Sequence, residues 1–537
     1  MKKIKENKFI VAFFTVLFFV GVFTFKDYGI TLDEQLQRQH LLVNYNEYVK
    51  IINKVIQMDN IKKAREYEMI FVGEYNINLY PYKYYGVGIQ YPIIIIEHMT
   101  NFNMDISTSF YLKHFYIFLI YFISMIYFYL ILNKFILKDK KLSLIGTMFL
   151  IMSPRIYGDA FYNIKDLTFM SLSIINCYYC FKYLKSNKLK DIIKLSVITA
   201  FTINSRVIGG IIIFACFIFK LLLNRNSLKQ TIYSLLKVFI FTYVFYFIIT
   251  PGMWSNPIMY PIELINFFYN YSDPISNYTQ ITYYFGEVIK STNLPWHYVP
   301  VWIIITTPII YIILFIIGSI NNICIIIKKK LRKVNAYLLF TNIILFGTLI
   351  LCIITKPTLY GGWRHLYWLY PLIIINSIIG LKYLFNKCMT SKLIYLVMGL
   401  LLINQVFIVS WMIKNHPYQY NYFNMPIRKY ALDNFEVNYY KLSNTDAIKY
   451  IAKNDKRKKI YVKSEYNSVI SNILTKKDRD RIKISETVFD ENYIDNNKYD
   501  YIIYSNREYD ESLKHDYKEI RVQKMDGYRL YTIYKHK

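Results

Sequence analysis

Four short stretches collect ionisable side chains of types that can do chemistry. Asp33 and Glu34 stand side by side in Gly29-Ile-Thr-Leu-Asp-Glu-Gln35. Adjacent acids suit a general base and a partner that orients an acceptor hydroxyl, although a carboxylate there could equally be an interfacial cap or a solvated charge. Ser153-Pro-Arg-Ile-Tyr-Gly-Asp-Ala-Phe-Tyr-Asn-Ile-Lys-Asp166 packs Arg155, Asp159, Lys165 and Asp166 into one turn. That set could hold a phosphate or a divalent metal, or Lys165 and Asp166 could simply cap the next helix. Arg206 interrupts an apolar stretch in Ile203-Asn-Ser-Arg-Val-Ile-Gly-Gly210. A buried guanidinium needs an anion, which Asp159, Asp166 or a phosphate would supply. Arg364 and His365 lie among aromatics in Tyr360-Gly-Gly-Trp-Arg-His-Leu-Tyr-Trp-Leu-Tyr-Pro371, and a planar guanidinium grips phosphate at two points.

The elements that must position these residues cross a membrane. Apolar runs of spanning length lie at about 9–25, 114–133, 167–181, 232–250, 301–327, 336–355, 366–385 and 393–413, with shorter ones at 142–153, 192–204 and 207–219. Basic clusters set the topology, because loops rich in Lys and Arg stay in the cytoplasm. They are Lys2 to Lys8, Lys134 to Lys141, Lys182 to Lys190, Lys220 with Arg225 and Lys229, Lys328 to Lys333, and Lys382 to Lys392. The intervening stretches 153–166, 251–300 and 356–365 are balanced in charge. Keeping every cluster inside requires eleven crossings, an N-terminus inside and a C-terminus outside, with the pair around Arg206 either crossing or re-entrant. The run 9–25 reads as an uncleaved first helix, since no small-x-small cleavage site precedes Lys26.

The composition agrees. Of 537 residues 54% are hydrophobic and mean hydropathy is +0.22, against only 19% charged, which argues against a water-soluble enzyme. A net charge of +29 invites a nucleic-acid reading, but Lys and Arg punctuate apolar runs and do not line one solvated face. No disulfide framework is implied, because all six cysteines fall in or beside the apolar runs. Cys177-x-x-Cys180 lies in such a run without a His partner, which disfavours redox or metal chemistry. Abundant Ile, Lys, Asn and Tyr reads as base-composition drift, giving the 55 tyrosines little functional weight. From His416 onward the chain turns polar. A helix is expected at 447–453, strands at 459–463 and 499–504, and a hairpin over 521–534 turning at Asp526-Gly527.

Taken together, these segments resemble the bacterial membrane glycosyltransferases of the GT-C fold, a group related to protein O-mannosyltransferases and the lipid A aminoarabinose transferase. The resemblance rests on Asp33-Glu34 after helix one, the second-loop acids, the internal Arg206, Leu294-Pro-Trp-His-Tyr-Val-Pro300, Gly362-Trp-Arg-His-Leu-Tyr367 and His416-Pro-Tyr-Gln-Tyr-Asn-Tyr-Phe-Asn424. It covers about 9–425. It implies an α-helical polytopic body (1–415) with a long first outer loop (26–108), followed by a small extracytoplasmic α/β tail (416–537). The protein is then expected in the plasma membrane as a multi-pass enzyme.

The implied reaction is inverting transfer of a sugar from a polyprenyl-phosphate donor, in a bacterium undecaprenyl phosphate, to a lipid, glycan or protein acceptor. Asp33 would be the base and Glu34 would complete the pair. Asp159 or Asp166 would be the second-loop acid. Lys165, Arg206 and Arg364 would neutralise the leaving phosphate, and His365, Trp296 and His297 would line the pocket. The resemblance implies no definite cofactor and no nucleotide-sugar machinery; a divalent ion is left open, since members of the group differ. The rival expectation is a transporter or flippase of polyprenyl-linked glycans, but ionisable residues gathered at one face suit one-sided chemistry better than alternating access.

Overall fold

A chain in lipid must satisfy its own backbone N–H and C=O groups, so apolar runs of this kind become helices. The computed structural model describes residues 2–56, 76–100, 104–224, 227–269, 280–329, 335–388, 392–464, 468–485, 499–505 and 515–537. Arg225, Lys330, Arg332 and Lys333 of the basic clusters lie outside those residues. In chain order the helices of the body are α1 (Lys2–Thr24), α2 (Leu32–Ile56), α3 (Tyr91–Met99), α4 (Ile106–Ile131), α5 (Lys140–Ile151), α6 (Pro154–Asp159), α7 (Asp166–Lys185) and α8 (Leu189–Ser205). They continue as α9 (Gly210–Leu223), α10 (Leu228–Ile249), α11 (Tyr260–Tyr269), α12 (Tyr298–Thr306), α13 (Ile309–Lys329), α14 (Ala336–Thr355), α15 (Tyr370–Cys388) and α16 (Leu393–Lys414).

Seven helical stretches among the described residues are long and apolar enough to cross: Asn7–Thr24, Ile106–Ile136, Leu228–Ile249, Ile309–Lys328, Ala336–Thr355, Arg364–Lys387 and Leu393–Lys414. The protein is therefore an integral membrane protein. The other four expected crossings, α5, α7, α8 and α9, are helices as well, and each departs from a simple lipid-facing span. At 1.5 Å per residue α5 covers only about 18 Å and α9 about 21 Å of a core about 30 Å thick. Helix α7 is long enough, but Thr168, Ser171, Ser173 and Asn176 are buried against neighbouring helices, so it has no need of a lipid-facing composition. The expected run 301–327 divides into α12 and α13 at Pro308, whose ring holds Thr307 extended.

The region after α16 laces back over one end of the helices. Asn424 donates from its backbone N–H to Ile305 O and from Nδ2 to Ile304 O at the end of α12 (2.8 and 2.7 Å). Beyond it, α17 (Leu442–Asn454) packs on a five-stranded sheet of β3 (Ile460–Ser464), β4 (Ile482–Ser485), β5 (Tyr501–Ser505), β6 (Tyr517–Met525) and β7 (Tyr528–His536), following the hairpin β1 (Ile281–Tyr284) and β2 (Glu287–Lys290) in the loop before α12. Strand order is β4-β3-β5-β7-β6, with β3 parallel to both neighbours and β7 antiparallel to its own. The β6–β7 hairpin turns at Asp526 (φ 50°) and Gly527 (φ 93°), the left-handed pair that an Asp-Gly turn demands. Its Asp526 accepts from Trp411 Nε1 (3.1 Å) and pairs with Arg428 (3.4 Å), tying the sheet to α16. One continuous apolar core reaches from Phe14 in α1 to Ile533 in β7.

Candidate functional site

The end of the loop 153–166 centres the site. Asn163 Oδ1 accepts the Asp166 backbone N–H (2.8 Å), which starts α7 with the Asp166 carboxylate facing inward. Asp166 is fully buried and ion-paired to two guanidinium groups: Arg206 on Oδ1, and Arg364 on Oδ2 at 3.4 Å. Arg206 occupies the extended break (φ −152°, ψ 130°) between α8 and the short 3-10 turn leading into α9. Arg364 follows Gly361 and Gly362, whose φ values of +65° and +71° turn the chain sharply enough to aim it inward. The same Arg364 Nη1 pairs with Asp33 Oδ2 at 3.0 Å, so one guanidinium joins the start of α2 to the start of α7.

Asp33 and Glu34 then diverge, although they are neighbours in sequence. The Asp33 side chain is 35% exposed beside Arg364, whereas the Glu34 side chain is wholly buried. Thr31-Leu-Asp-Glu34 forms the glutamate half of a capping box at the start of α2, with the Thr31 N–H donating to Glu34 Oε1 at 2.8 Å. Glu34 Oε2 meets His114 Nε2 (3.1 Å) and Lys113 Nζ (3.5 Å) on α4, and Lys113 donates to Gln37 (3.1 Å). Burial alone would raise the Glu34 carboxyl, but His114 and Lys113 outweigh it and hold it below the usual value. Glu34 is thus spent on anchoring α2 to α4 and does not face the Asp33 side.

Asp159, at the end of α6, accepts from Tyr162 OH (2.6 Å), Asn163 Nδ2 (3.0 Å) and Tyr440 OH (3.2 Å). Burial pushes its carboxyl up to about 6 despite those bonds. Asn163 connects it to Asp166 (3.4 Å), so both second-loop acids share one network. Lys165 Nζ lies 3.9 Å above the Tyr85 ring and makes no ion pair among the described residues. Burial, with Arg206 next, lowers it to about 7. Gly86 lets the Tyr85 segment dock on the corner before Arg206: a Cβ there would stand 1.8 Å from Asn204 O. His365 packs edge-on against Tyr360 (4.8 Å) and its Nδ1 is buried without a partner among the described residues. Trp296 is largely exposed, and His297 Nδ1 bonds Tyr284 OH at 2.7 Å. Neither joins the arginine cluster; the nearest link is Tyr298 OH, which donates to Gly362 O (3.3 Å). Arg155 is also apart, donating to Tyr422 O (2.8 Å) over the Trp302 and Phe423 rings.

Sequence reasoning missed the tyrosines. Tyr439 OH accepts from Arg364 Nη2 at 2.9 Å, and the rings of Tyr360, Tyr439 and Tyr440 surround that guanidinium at 4.9, 4.5 and 5.7 Å. Glu436 accepts the Gly361 N–H (3.1 Å) and steadies the turn from the other side. Burial holds the phenols of Tyr439 and Tyr440 well above their ordinary value, so they stay neutral. The Tyr439-Tyr440 doublet was legible, but the discount applied to all tyrosines hid it. No group of three or more His, Cys, Asp or Glu side chains converges as a metal shell among the described residues. Asp33 and Asp166 both face arginines, an arrangement that does not fit a divalent ion.

Residues 98–258 match the family model described as dolichyl-phosphate-mannose-protein mannosyltransferase. No curated protein matches the chain. Along nearly its whole length the chain is similar to the structure of ArnT from Cupriavidus metallidurans bound to undecaprenyl phosphate: 11% identity, TM-score 0.50, covering 98% of this chain and 97% of that one. The apo state of the same protein gives 10% identity and a TM-score of 0.49, covering 99% and 98%. The oligosaccharyltransferase AglB from Archaeoglobus fulgidus, in complex with an inhibitory peptide and a dolichol-phosphate, gives 11% identity and 0.40, covering 74% of this chain. The chain spans only 56% of that archaeal enzyme. The fold is that of the GT-C glycosyltransferases.

Proposed function

We propose that the chain is a membrane glycosyltransferase that moves a sugar from a polyprenyl-phosphate donor to an acceptor hydroxyl at the extracytoplasmic face, with inversion at the anomeric carbon. The observation that carries this reading is the pair of arginines on Asp166. Arg206 Nε and Arg364 Nε are buried with no partner among the described residues, beside the partly exposed carboxylate of Asp33. Two unused guanidinium N–H groups in a dry setting suit an anion whose charge grows during reaction. The family match over 98–258 and a fold shared with a protein crystallised with undecaprenyl phosphate suit that anion being a lipid phosphate.

In this account Asp33 takes the proton of the acceptor hydroxyl as its oxygen attacks the anomeric carbon from the face opposite the phosphate. The bond from that carbon to the phosphate oxygen breaks, and its electron pair leaves with the lipid phosphate under Arg206, Arg364 and Lys165. Asp166 holds the two guanidinium groups in place, and Asp159 braces the loop through Asn163. Glu34 positions the helix that carries Asp33. The body (1–415) and the tail (416–537) form two parts of one extracytoplasmic site, with the N-terminus in the cytoplasm. No step runs through a metal.

Arg364→Gln and Arg206→Gln should each lower kcat/KM for the sugar lipid on the order of a hundredfold, while the KM for acceptor changes little. An unchanged response to the sugar lipid in both variants would remove the arginines from the mechanism.

A further inference from the structure

His40 lies on α2 seven residues after Asp33, two helical turns along the same face and about 10 Å away. It is 1% exposed. Its Nδ1 is 2.6 Å from the Tyr80 hydroxyl, its ring stacks on Tyr85 (5.2 Å, 14°), and Tyr82 tilts against it at 5.2 Å. Whichever way the Tyr80–His40 proton points, Nε2 remains, and it is buried with no partner among the described residues. A buried polar atom left unmet costs about 1–3 kcal/mol, and here the orphan atom sits among aromatic rings beside a cation.

The surroundings define the chemistry of what would meet it. Burial, Lys165 and Lys113 all press His40 toward the neutral form, so it offers a hydrogen bond and no charge. The cationic role falls to Lys165, which rests on the ring of the same Tyr85. Phosphate-seeking and neutral groups therefore adjoin through one aromatic side chain. A sugar joined to phosphate through a single oxygen has this pattern of charge beside hydroxyl, and tyrosine rings suit its apolar C–H faces.

Resting on the function proposed above, we infer that His40 is a specificity-determining residue whose Nε2 hydrogen-bonds a hydroxyl of the sugar carried by the lipid donor, within the wall formed by Tyr80, Tyr82 and Tyr85. The test is binding of two kinds of lipid to the full-length protein in nanodiscs: undecaprenyl phosphate, and undecaprenyl phosphoryl-glucose, -galactose and -mannose. The wild type should prefer at least one sugar lipid over the sugarless one. His40→Phe, which keeps the stack and removes the nitrogens, should weaken that sugar lipid about tenfold and leave undecaprenyl phosphate within about twofold. Tyr80→Phe should lose less, in the same direction, and carries the test alone if His40→Phe does not fold. Equal losses on both lipids, or no loss on either, would overturn the inference. So would a wild type indifferent to the sugar. A wild type that binds neither lipid would remove the function proposed above along with it, an outcome distinct from a loss of sugar selectivity alone.

Discussion

Asp166 and Glu34 are both wholly buried carboxylates at the start of helices, and each meets two cationic or potentially cationic side chains. The Glu34 cluster is closed. A backbone N–H, His114 and Lys113 use its oxygens, and Lys113 is further engaged by Gln37. The Asp166 cluster is open. Arg364 reaches past it to a partly exposed Asp33, and both arginines keep an N–H unmet among the described residues. Both clusters keep an unmet buried nitrogen among the described residues, His114 Nδ1 beside Glu34 and the two arginine Nε atoms beside Asp166, and what differs is access: only the Asp166 cluster extends to a partly exposed carboxylate, as the proposed reactive centre requires.

The comparison breaks most sharply at Asp33. Asp33→Asn should cut transfer by about 10²–10⁴-fold, the usual worth of a general base, with folding intact because the side chain is partly solvated. Glu34→Gln should do the reverse. It leaves Lys113 and His114 buried without a carboxylate, so it should cost about 3 kcal/mol of stability, read as a lower melting temperature in detergent, while activity per folded molecule survives.

A smaller effect distinguishes Lys165. With its ammonium lowered to about 7, rising pH neutralises it and use of the sugar lipid should decline above that value. Lys165→Arg should flatten the decline. Stability should move the opposite way: the folded state binds fewer protons than the unfolded one between about pH 7 and 10.4, so this group's contribution rises with pH across that window. Smallest is Tyr439→Phe, which removes one hydrogen bond from Arg364 and should raise the KM for the sugar lipid several-fold, leaving the acceptor KM alone.

Much of this was legible beforehand. Asp33, Asp166, Arg206 and Arg364 stand out because ionisable groups near a bilayer are costly and rarely idle, and the structure brings them together. The Asp526-Gly527 turn and the helix of the tail follow from local signals as well. The different orientations of Asp33 and Glu34 were signalled by Thr31-Leu-Asp-Glu34, whose capping spacing turns Glu34 back upon its own helix. What could not be read was which tyrosines matter. Tyr85, Tyr439 and Tyr440 reach the site from the stretch between α2 and α3 and from beyond α16, and no periodicity links positions that far apart. Lipid-facing length also misjudges α7, whose polar residues are buried against neighbouring helices and not exposed to lipid.

The account stands or falls on Asp33 as the base of a glycosyl transfer. In a strain lacking this chain, a glycan of the cell envelope should be lost, return with the wild type and stay absent with Asp33→Asn present in the membrane at equal amount. Full return of that glycan with Asp33→Asn would contradict the account.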